Sequence, residues 1–423
     1  MEKICTLGLG YIGLSMASLL ATKGFQVHGI DINVKAVETI NQGYSHINEP
    51  GLNDLVRFAV QSGNLVASFS PVPADIFIIA VPSLITKGHN PDINSIKAVT
   101  HAIAPHLTPG NLVIIESTSP VGTTEKVARW INKLRPDLVI PSLKMHVQPV
   151  SNKAQIFLAY CPERVLPGQI LKELVNSDRI IGSMDKPSAL KAQMFYKKFV
   201  RGGISLTDVR TAELTKLVEN SFRDVNIAFA NELSLICKKL GINVWEVVEL
   251  ANRHPRVNIL QPGPGVGGHC ITRDPWFLVN SAPDKARLIY TARMINDNMP
   301  GYTVNRIMEM AARFKHPVIT CLGLSYKADS GELRESPAIK VVQQLGKDTT
   351  YQILAVEPHI KTLPDELIKC GNIKLVDLAA GLEQADLVVL LVNHHDFINV
   401  DLEMYGGKAV LDTRGMWRKT TKI

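Results

Sequence analysis

An apolar run that starts at Ile4 breaks at Gly8-Leu9-Gly10-Tyr11-Ile12-Gly13 and resumes as Leu14–Thr22, a stretch that is small, apolar and unbroken. That order, strand then glycine turn then helix, constrains the fold more than any other feature of the chain. A short strand at Val27–Ile30 follows Lys23-Gly24 and closes on Asp31, 18 residues beyond Gly13, which completes a βαβ unit. Glycines let a backbone approach a pyrophosphate closely, and the N-terminus of the helix offers N–H groups and a partial positive charge. A tight strand-to-helix turn needs glycine with or without a ligand. The strand before it, the helix after it and the acid at this distance together predict a dinucleotide held by Gly8, Gly10, Tyr11, Ile12 and Gly13. Asp31 would accept from the ribose hydroxyls and repel a 2′-phosphate, which favours NAD over NADP.

Further strand-like runs at Ile76–Val81, Leu112–Glu116 and Phe157–Tyr160 alternate with helical stretches, the pattern of a parallel sheet covered by helices. The segment Thr211–Gly241 has no glycine or proline before Gly241 and predicts one helix of about thirty residues, roughly 45 Å long. Its many apolar positions predict packing beyond its own domain, and with it a homodimer. Near Pro317 the alternation restarts: a strand at Val318–Leu324, a loop through Arg334, a helix from Pro337 to about Leu345, then strands at Tyr351–Val356, Leu387–Val392 and Ala409–Asp412. The predicted fold class is α/β, with two Rossmann-like doubly wound domains joined by a long central helix. The expected division is residues 1–205 for the dinucleotide domain, 206–302 for a central helical region of dimerisation and active-site residues, and 303–423 for a second α/β domain.

Composition narrows the classes. With 423 residues, 46% of them apolar and 20% charged, the chain is neither a disordered polyelectrolyte nor a small recognition module. Lysine and arginine exceed aspartate and glutamate by 46 − 39 = 7, so the surface favours anions. The basic residues are scattered, in groups no longer than Lys197-Lys198 or Arg418-Lys419, and no nucleic-acid partner is expected. Six cysteines without a Cys-x-x-Cys pair or a zinc-like cysteine–histidine spacing predict neither disulfides nor a metal site. No leader pattern and no apolar run near 20 residues is present, so the expectation is a cytoplasmic protein without a membrane span.

Two other constellations carry chemistry. Gly263-Pro264-Gly265-Val266-Gly267-Gly268-His269-Cys270 is a glycine-rich run that delivers a thiol at its end, with Asp274 four residues on. A buried inert cysteine is the bland alternative, but such a loop makes a poor core. His269 reads as a structural neighbour, because adjacent side chains diverge. On the long helix Lys216 and Asn220 stand four apart on one face, with Arg223 close to the same stripe. They suit donation to a developing oxyanion, or form a solvated polar face. Glu163 and Arg164 follow an apolar run, at a strand end where open α/β sheets place their sites or where a surface ion pair would sit. Arg256, Lys327, Arg334 and Arg414 lie in loops or at strand ends, as cations for diphosphates do and as solvated cations also do.

Taken together, the opening glycine turn, Glu116-Ser117-Thr118-Ser119-Pro120-Val121-Gly122-Thr123, Tyr160-Cys161-Pro162-Glu163-Arg164-Val165-Leu166-Pro167-Gly168, Ala212-Glu213-Leu214-Thr215-Lys216-Leu217, Gly267-Gly268-His269-Cys270 and Leu333-Arg334-Glu335-Ser336-Pro337 resemble the UDP-glucose/GDP-mannose dehydrogenase family in order and spacing. The stretches 219–232 and 252–270 are most similar to the branch that acts on UDP-N-acetyl-D-mannosamine. The resemblance implies oxidation of a sugar C6 alcohol to a carboxylate with NAD as cofactor, a UDP-sugar as substrate, and residues 303–423 as the UDP-sugar-binding domain. UDP-N-acetylglucosamine is the competing substrate, and a nucleotide-sugar-binding regulator without catalysis the competing class. Cys270 is implied as the nucleophile that carries a thiohemiacetal and then a thioester, Lys216 as proton acceptor or oxyanion partner, Asn220 as amide donor, Asp274 as organiser of water and lysine, and Glu163 as acid–base helper. Ser83, Thr118 and Arg334 join the implied cofactor set. Arg164, Val165, Lys216, Asn220, Arg223, His254, Arg256, Gly267, Lys327 and Arg414 form the implied substrate set, with Arg256 acting across a dimer. Two departures stand out: Val81-Pro82-Ser83-Leu84 replaces the commoner Val-Pro-Thr-Pro, and Arg273 sits between Cys270 and Asp274, where it either alters the thiol's surroundings or points to solvent.

Overall fold

The computed structural model describes residues 1–86, 88–141, 155–401, 406 and 408–417; Arg418-Lys419 lies outside the described residues. The chain forms two compact units, Met1–Val218 and Glu219–Ile423.

The first unit is built on an eight-stranded sheet. Its strands are β1 (Lys3–Leu7), β2 (Gln26–Ile30), β3 (Leu65–Ser68), β4 (Ile76–Ile79), β7 (Leu112–Ile115), β8 (Phe157–Tyr160), β9 (Arg179–Ser183) and β10 (Ile204–Asp208), in the order β10-β9-β8-β7-β4-β1-β2-β3, while β5 (Leu84–Ile85) and β6 (Pro91–Asp92) make a separate short ladder. Every residue of β4 and β7 is buried, as expected of strands covered on both faces by helices. The helix Tyr11–Thr22 is buried from Gly13 to Ala21, and its glycine, alanines and serines let it lie close to the strands. One junction departs from the parallel reading: β8 and β9 are antiparallel, and β10 is parallel to β9, so the outer pair runs against the rest. The connection between β8 and β9 holds one seven-residue helix, Ile170–Asn176, and otherwise loop. An antiparallel neighbour needs no crossover helix, and residues 161–169 are left to form a loop beyond the end of β8. Neither β9 nor β10 shows an apolar run, because Arg179, Ser183, Ser205 and Asp208 interrupt them.

The second unit carries a five-stranded, wholly parallel sheet, β13-β12-β11-β14-β15, made of β11 (Val318–Leu322), β12 (Gln352–Val356), β13 (Ile373–Leu375), β14 (Leu387–Leu390) and β15 (Ala409–Asp412). The long helix is present as Val209–Leu240, 32 residues, two residues ahead of where the sequence starts it. Beyond Val218 it packs on the helix Arg287–Ala311 through polar contacts. Arg293 and Asp224 form an ion pair with no exposed surface on either side chain. Asn296 donates to both the carbonyl and the carboxylate of Asp224, at 2.9 and 2.8 Å. Asn231 donates to Asn296 at 2.8 Å and accepts the Gly263 N–H at 2.9 Å.

A buried ion pair is worth little against an apolar pair of the same volume, but removing one partner strands the other charge. Arg293→Ala should therefore lower the unfolding free energy of the second unit by about 3–5 kcal/mol, and the double variant Arg293→Met/Asp224→Leu should recover most of that loss. Chemical denaturation of the three proteins checks both.

Candidate active site

In the first unit the turn after β1 is closed by contact. A Cβ on Gly13 would stand 1.8 Å from the Gly8 carbonyl oxygen, so only glycine allows the helix to start so near the strand. No side chain caps that helix, whose N-cap is Gly10, and its first N–H groups, which like those of any helix have no intrahelical acceptor, lie at the positive end of the dipole. Asp31, half-buried at the end of β2, accepts the Leu9 N–H at 2.8 Å through one carboxylate oxygen and the Asn33 N–H at 2.9 Å through the other. Each oxygen keeps a lone pair for a hydroxyl. The five turn residues and Asp31 are thus brought together, with an anion cradle on one side and an acceptor on the other.

The loops beyond β4, β7 and β8 hold the other first-unit residues. Ser83 follows β4, where the Ser117 hydroxyl donates to the Val81 carbonyl at 2.6 Å. Thr118 lies past the end of β7, in a loop fixed from the long helix: Glu213 accepts from the Gly122 and Thr124 N–H groups at 2.6 and 2.8 Å and from the Thr124 hydroxyl at 2.7 Å. Burial pushes the Glu213 carboxyl up despite those bonds. Beyond β8, Lys216 pairs with Glu163 at 3.3 Å, both nearly buried, and the other Glu163 oxygen accepts the Val165 N–H at 3.0 Å. Arg164 is exposed, its guanidinium on the Asp178 carbonyl. Glu49 holds the end of the same loop, accepting from Gly168 and Ile170 at 2.7 and 2.8 Å.

Behind Glu163 lies a buried set the sequence reading did not single out: Glu116, Arg179, Tyr196 and Cys161. The Tyr196 hydroxyl donates to Glu116 at 2.7 Å, and the Arg179 guanidinium stands over the Tyr196 ring. Burial raises the Glu116 carboxyl, against the Arg179 charge, and pushes the Cys161 thiol up to about 11. The signals for this set were a charge at the edge of an otherwise apolar run, Glu116 after β7 and Arg179 opening β9, and the place of Glu116 and Cys161 in two of the family-like stretches.

In the second unit Cys270 is exposed, in a turn whose carbonyl accepts the N–H groups of Arg273 and Asp274 at 3.0 and 2.9 Å just where the helix Asp274–Ser281 begins. The loop before it is pinned along its length. Gly263 lies against the Arg414 guanidinium, so that a Cβ there would meet Nη1 at 2.2 Å. At Gly267 a Cβ would meet the Tyr326 Cβ at 2.6 Å and the Glu335 carbonyl at 2.9 Å, and Gly268, at φ 85°, lies against the Tyr326 ring. The cysteine loop is therefore packed on the segment that carries Lys327 and Arg334. The Ile271 carbonyl accepts from Arg293 at 3.3 Å. Arg273 does not point to solvent: it is buried, its Nε donates to the His269 carbonyl at 2.6 Å, and burial brings its pKa down to about 10 against the opposing charges of Asp274 and Glu335. Asn220 donates to the Asp274 carboxylate at 2.5 Å. Arg334 is held by Glu332 through two bonds of 2.8 and 2.6 Å, and Arg414 donates to Asn393 at 3.3 Å. Arg223, His254 and Arg256 are exposed; the Arg256 N–H donates to the His254 ring at 3.3 Å on the loop after the helix Val244–Ala251.

Comparison with known proteins agrees along the whole chain. Residues 2–200, 210–298 and 320–419 match, in that order, the NAD binding domain, the central domain and the UDP binding domain of the UDP-glucose/GDP-mannose dehydrogenase family. The chain is 54% identical to an NDP-N-acetyl-D-galactosaminuronic acid dehydrogenase of Ralstonia nicotianae, over 98% of this chain and 96% of that one. It is 52% identical to a UDP-N-acetyl-D-mannosamine dehydrogenase of Campylobacter jejuni, over 94% and 97%. The native structure of the UDP-N-acetyl-mannosamine dehydrogenase of Staphylococcus aureus superposes with a TM-score of 0.85 at 37% identity, covering 100% of this chain and 96% of that one.

The thiols should separate by reactivity. Cys5, Cys161, Cys237 and Cys321 are buried, Cys370 is half-buried and Cys270 is exposed. Burial pushes Cys5 up to about 11 and Cys321 up to about 12, so these stay protonated at pH 8. Titration of the folded protein with a disulfide reagent should show one fast thiol, absent in Cys270→Ser, and the buried four should react only after denaturant is added.

Proposed function

The chain belongs to the UDP-glucose/GDP-mannose dehydrogenase family and is an NAD-dependent UDP-sugar dehydrogenase, and we propose that it oxidises UDP-N-acetyl-D-mannosamine at C6, through four electrons, to the uronate. The observation that carries this reading is the exposed Cys270 at the end of a glycine loop that tolerates no side chain at Gly267. A single oxidation of an alcohol has no use for a thiol; a second oxidation does, because a thiohemiacetal holds the aldehyde that would otherwise have to react as its hydrate.

The first unit fits the cofactor, with its uncapped helix start, its turn closed at Gly13 and Asp31 beside it. Gly8, Gly10, Tyr11, Ile12, Gly13 and Asp31 would hold NAD, with Ser83, Thr118 and Arg334 as further contacts. NAD supplies the hydride acceptor for both oxidations. Lys216, kept in place by Glu163, takes the proton of the C6 hydroxyl or steadies the oxyanion, and Asn220, fixed by Asp274, donates to the same oxygen. The Cys270 thiolate adds to the aldehyde carbon to give a thiohemiacetal; its oxidation leaves a thioester, and water, oriented by Asp274 with Glu163 as acid–base helper, cleaves it to the carboxylate and frees the thiol. Arg164, Val165, Arg223, His254, Gly267, Lys327 and Arg414 would contact the nucleotide sugar.

We further propose a homodimer. Phe222, Phe229, Ile236 and Leu240 stand exposed on the long helix at spacings of seven, seven and four, one apolar stripe that a second copy would cover. Arg256, on its exposed loop, would then serve the partner's site. Residues 1–205, 206–302 and 303–423 would serve as the NAD-binding, central and UDP-sugar-binding parts. Six free thiols fit a reducing compartment, and we assign the enzyme to the cytoplasm. A second reading has support of its own: the Ralstonia relative, at 54% identity, points to an N-acetylgalactosamine nucleotide sugar.

The test is NADH formation with UDP-N-acetyl-D-mannosamine, UDP-N-acetylgalactosamine, UDP-N-acetylglucosamine and UDP-glucose offered separately. The mannosamine sugar should be preferred and yield two NADH per sugar. Cys270→Ala should abolish that yield, and Lys216→Ala should lower kcat by about 10²-fold or more. Preference for another sugar would overturn the substrate assignment alone, whereas NAD binding without turnover of any sugar would favour the regulator.

A further inference from the structure

The second sheet repeats the opening turn of the first and then alters its end. Gly8 and Gly323 share φ 91°, and each donates its N–H at 2.8 Å to the last residue of the neighbouring strand, Ile30 or Val356. In both, the next N–H goes to the acid that follows that strand: Leu9 to Asp31 at 2.8 Å, Leu324 to Glu357 at 2.7 Å. There the likeness ends. The helix Tyr11–Thr22 starts at once and uncapped, whereas Pro337–Leu345 starts thirteen residues beyond Leu324, with proline at its first position and the Ala338 and Ile339 N–H groups taken by Ser336. Asp31 is half-buried, but the Glu357 side chain has no exposed surface and cannot serve a ligand hydroxyl.

His394, also wholly buried, covers Glu357. The Asp329 N–H donates to His394 Nδ1 at 2.9 Å. A backbone N–H is always a donor, so Nδ1 holds a lone pair and the ring proton sits on Nε2, which faces Glu357 Oε2 at 3.1 Å and the Ser325 hydroxyl at 3.3 Å. Ser325 gives its N–H to Glu357 at 2.9 Å and its hydroxyl to the Lys327 carbonyl at 2.7 Å. Asp329 adopts φ 57°, uncommon for a residue with a side chain, and its carboxylate is bound by the His395 N–H at 2.8 Å and faces the His395 ring at 2.5 Å. The charged or titratable groups facing His394 are Glu357, Asp329, with an oxygen 3.9 Å from Nδ1, and His359, its ring centroid 4.8 Å away. Asp329, His359 and His394 bring donor atoms within 4.8 Å of one another, a spacing that invites a metal. Both His394 nitrogens are already engaged by protein groups, so the cluster is a hydrogen-bond relay.

We propose that Glu357, His394 and Asp329 are positioning residues for substrate: the relay fixes the loop from Leu324 to Asp329 in one shape and so aims Lys327 at the diphosphate of the UDP-sugar. The inference rests on the assignment of Lys327 to substrate made above. Burial alone would raise the Glu357 carboxyl, but His394 and the N–H groups around it hold it below the usual carboxylate range, so the acceptor at the root of the relay stays ionised. Cutting the link at Asp329 releases a residue held in an uncommon conformation two positions from Lys327.

UDP itself is the probe, titrated into the intact enzyme by calorimetry, with KM for nucleotide sugar and for NAD measured beside it. His394→Ala should weaken UDP binding and raise KM for the sugar nucleotide by about tenfold, one lost hydrogen bond, with kcat within about twofold and KM for NAD unchanged. His394→Asn, whose Oδ1 stands where Nδ1 was, should restore most of the affinity, while His394→Gln, which keeps only the contact to Glu357, should not. If His394→Ala does not fold, the Asn and Gln pair decides. Wild-type enzyme that binds UDP together with a folded His394→Ala that binds it equally, or Asn and Gln variants of equal affinity, would overturn the relay alone. Wild-type enzyme that does not bind UDP would overturn the assignment of Lys327 and the relay with it.

Discussion

Loops beyond the C-terminal ends of parallel strands leave backbone N–H groups without sheet partners, and in this protein carboxylates satisfy them. Asp31 takes Leu9 and Asn33. Glu213 takes Gly122 and Thr124, Glu49 takes Gly168 and Ile170, and Glu357 takes Leu324, Ser325 and His359. Asp412 takes Arg414, Gly415 and Trp417. A charged acceptor makes the stronger hydrogen bond, and two oxygens on one planar group fix two or three N–H directions at once. The loops that carry Glu163, Thr118 and Lys327 thus have their backbone held by a carboxylate, from Glu49, Glu213 and Glu357 in turn. Loops built this way lose little freedom when a ligand arrives, which is how a site on irregular backbone attains the precision that catalysis needs.

The same device yields opposite results in the two sheets because of what surrounds it. In the first unit the acid is half-buried and a helix begins at the glycine turn without a side-chain cap, so acceptor and helix N-terminus lie side by side. In the second, the acid is sealed by His394 and the helix start is closed by Ser336 and Pro337, leaving a twelve-residue loop, 325–336, between strand and helix. One sheet plan thus gives a glycine turn that opens directly into a helix in one case and, in the other, a loop that carries lysine and arginine.

How much of this the sequence disclosed follows from the kind of signal each feature leaves. The turn at Gly8–Gly13, the strand at Phe157–Tyr160, the helix Pro337–Leu345 and the strand Ala409–Asp412 were legible to the residue or nearly so, because apolar runs bounded by glycine, proline or polar residues are local patterns. β9 and β10 were not: their stability comes from neighbours in the sheet, and Arg179 or Asp208 within them reads as loop. Cys270, Lys216 and Asn220 stood out through their spacing, and the structure adds the partners, Glu163 for Lys216 and Asp274 for Asn220, that lie 53 and 54 residues away and leave no pattern along the chain. Asp31 apart, the clamping carboxylates were invisible for the same reason. An acid that holds a loop from 91 residues away, as Glu213 holds Gly122, looks in sequence like any solvated acid.

Arg273 shows why such contacts decide chemistry that composition leaves open. A cation between Cys270 and Asp274 would, if it pointed to water, change little. Buried, with Nε on the His269 carbonyl, it cross-links the two residues on either side of the thiol turn while its own N–H closes that turn on the Cys270 carbonyl. Arg293 reaches the Ile271 carbonyl from the other side and is itself anchored by Asp224 and Asp297. The thiol thus stands exposed on a segment whose backbone is gripped by two buried guanidinium groups. That frame has little room to relax, so a substitution at Arg273 acts on the backbone that holds Cys270 as well as on the local charge, and with it on the attack geometry proposed for the thiol.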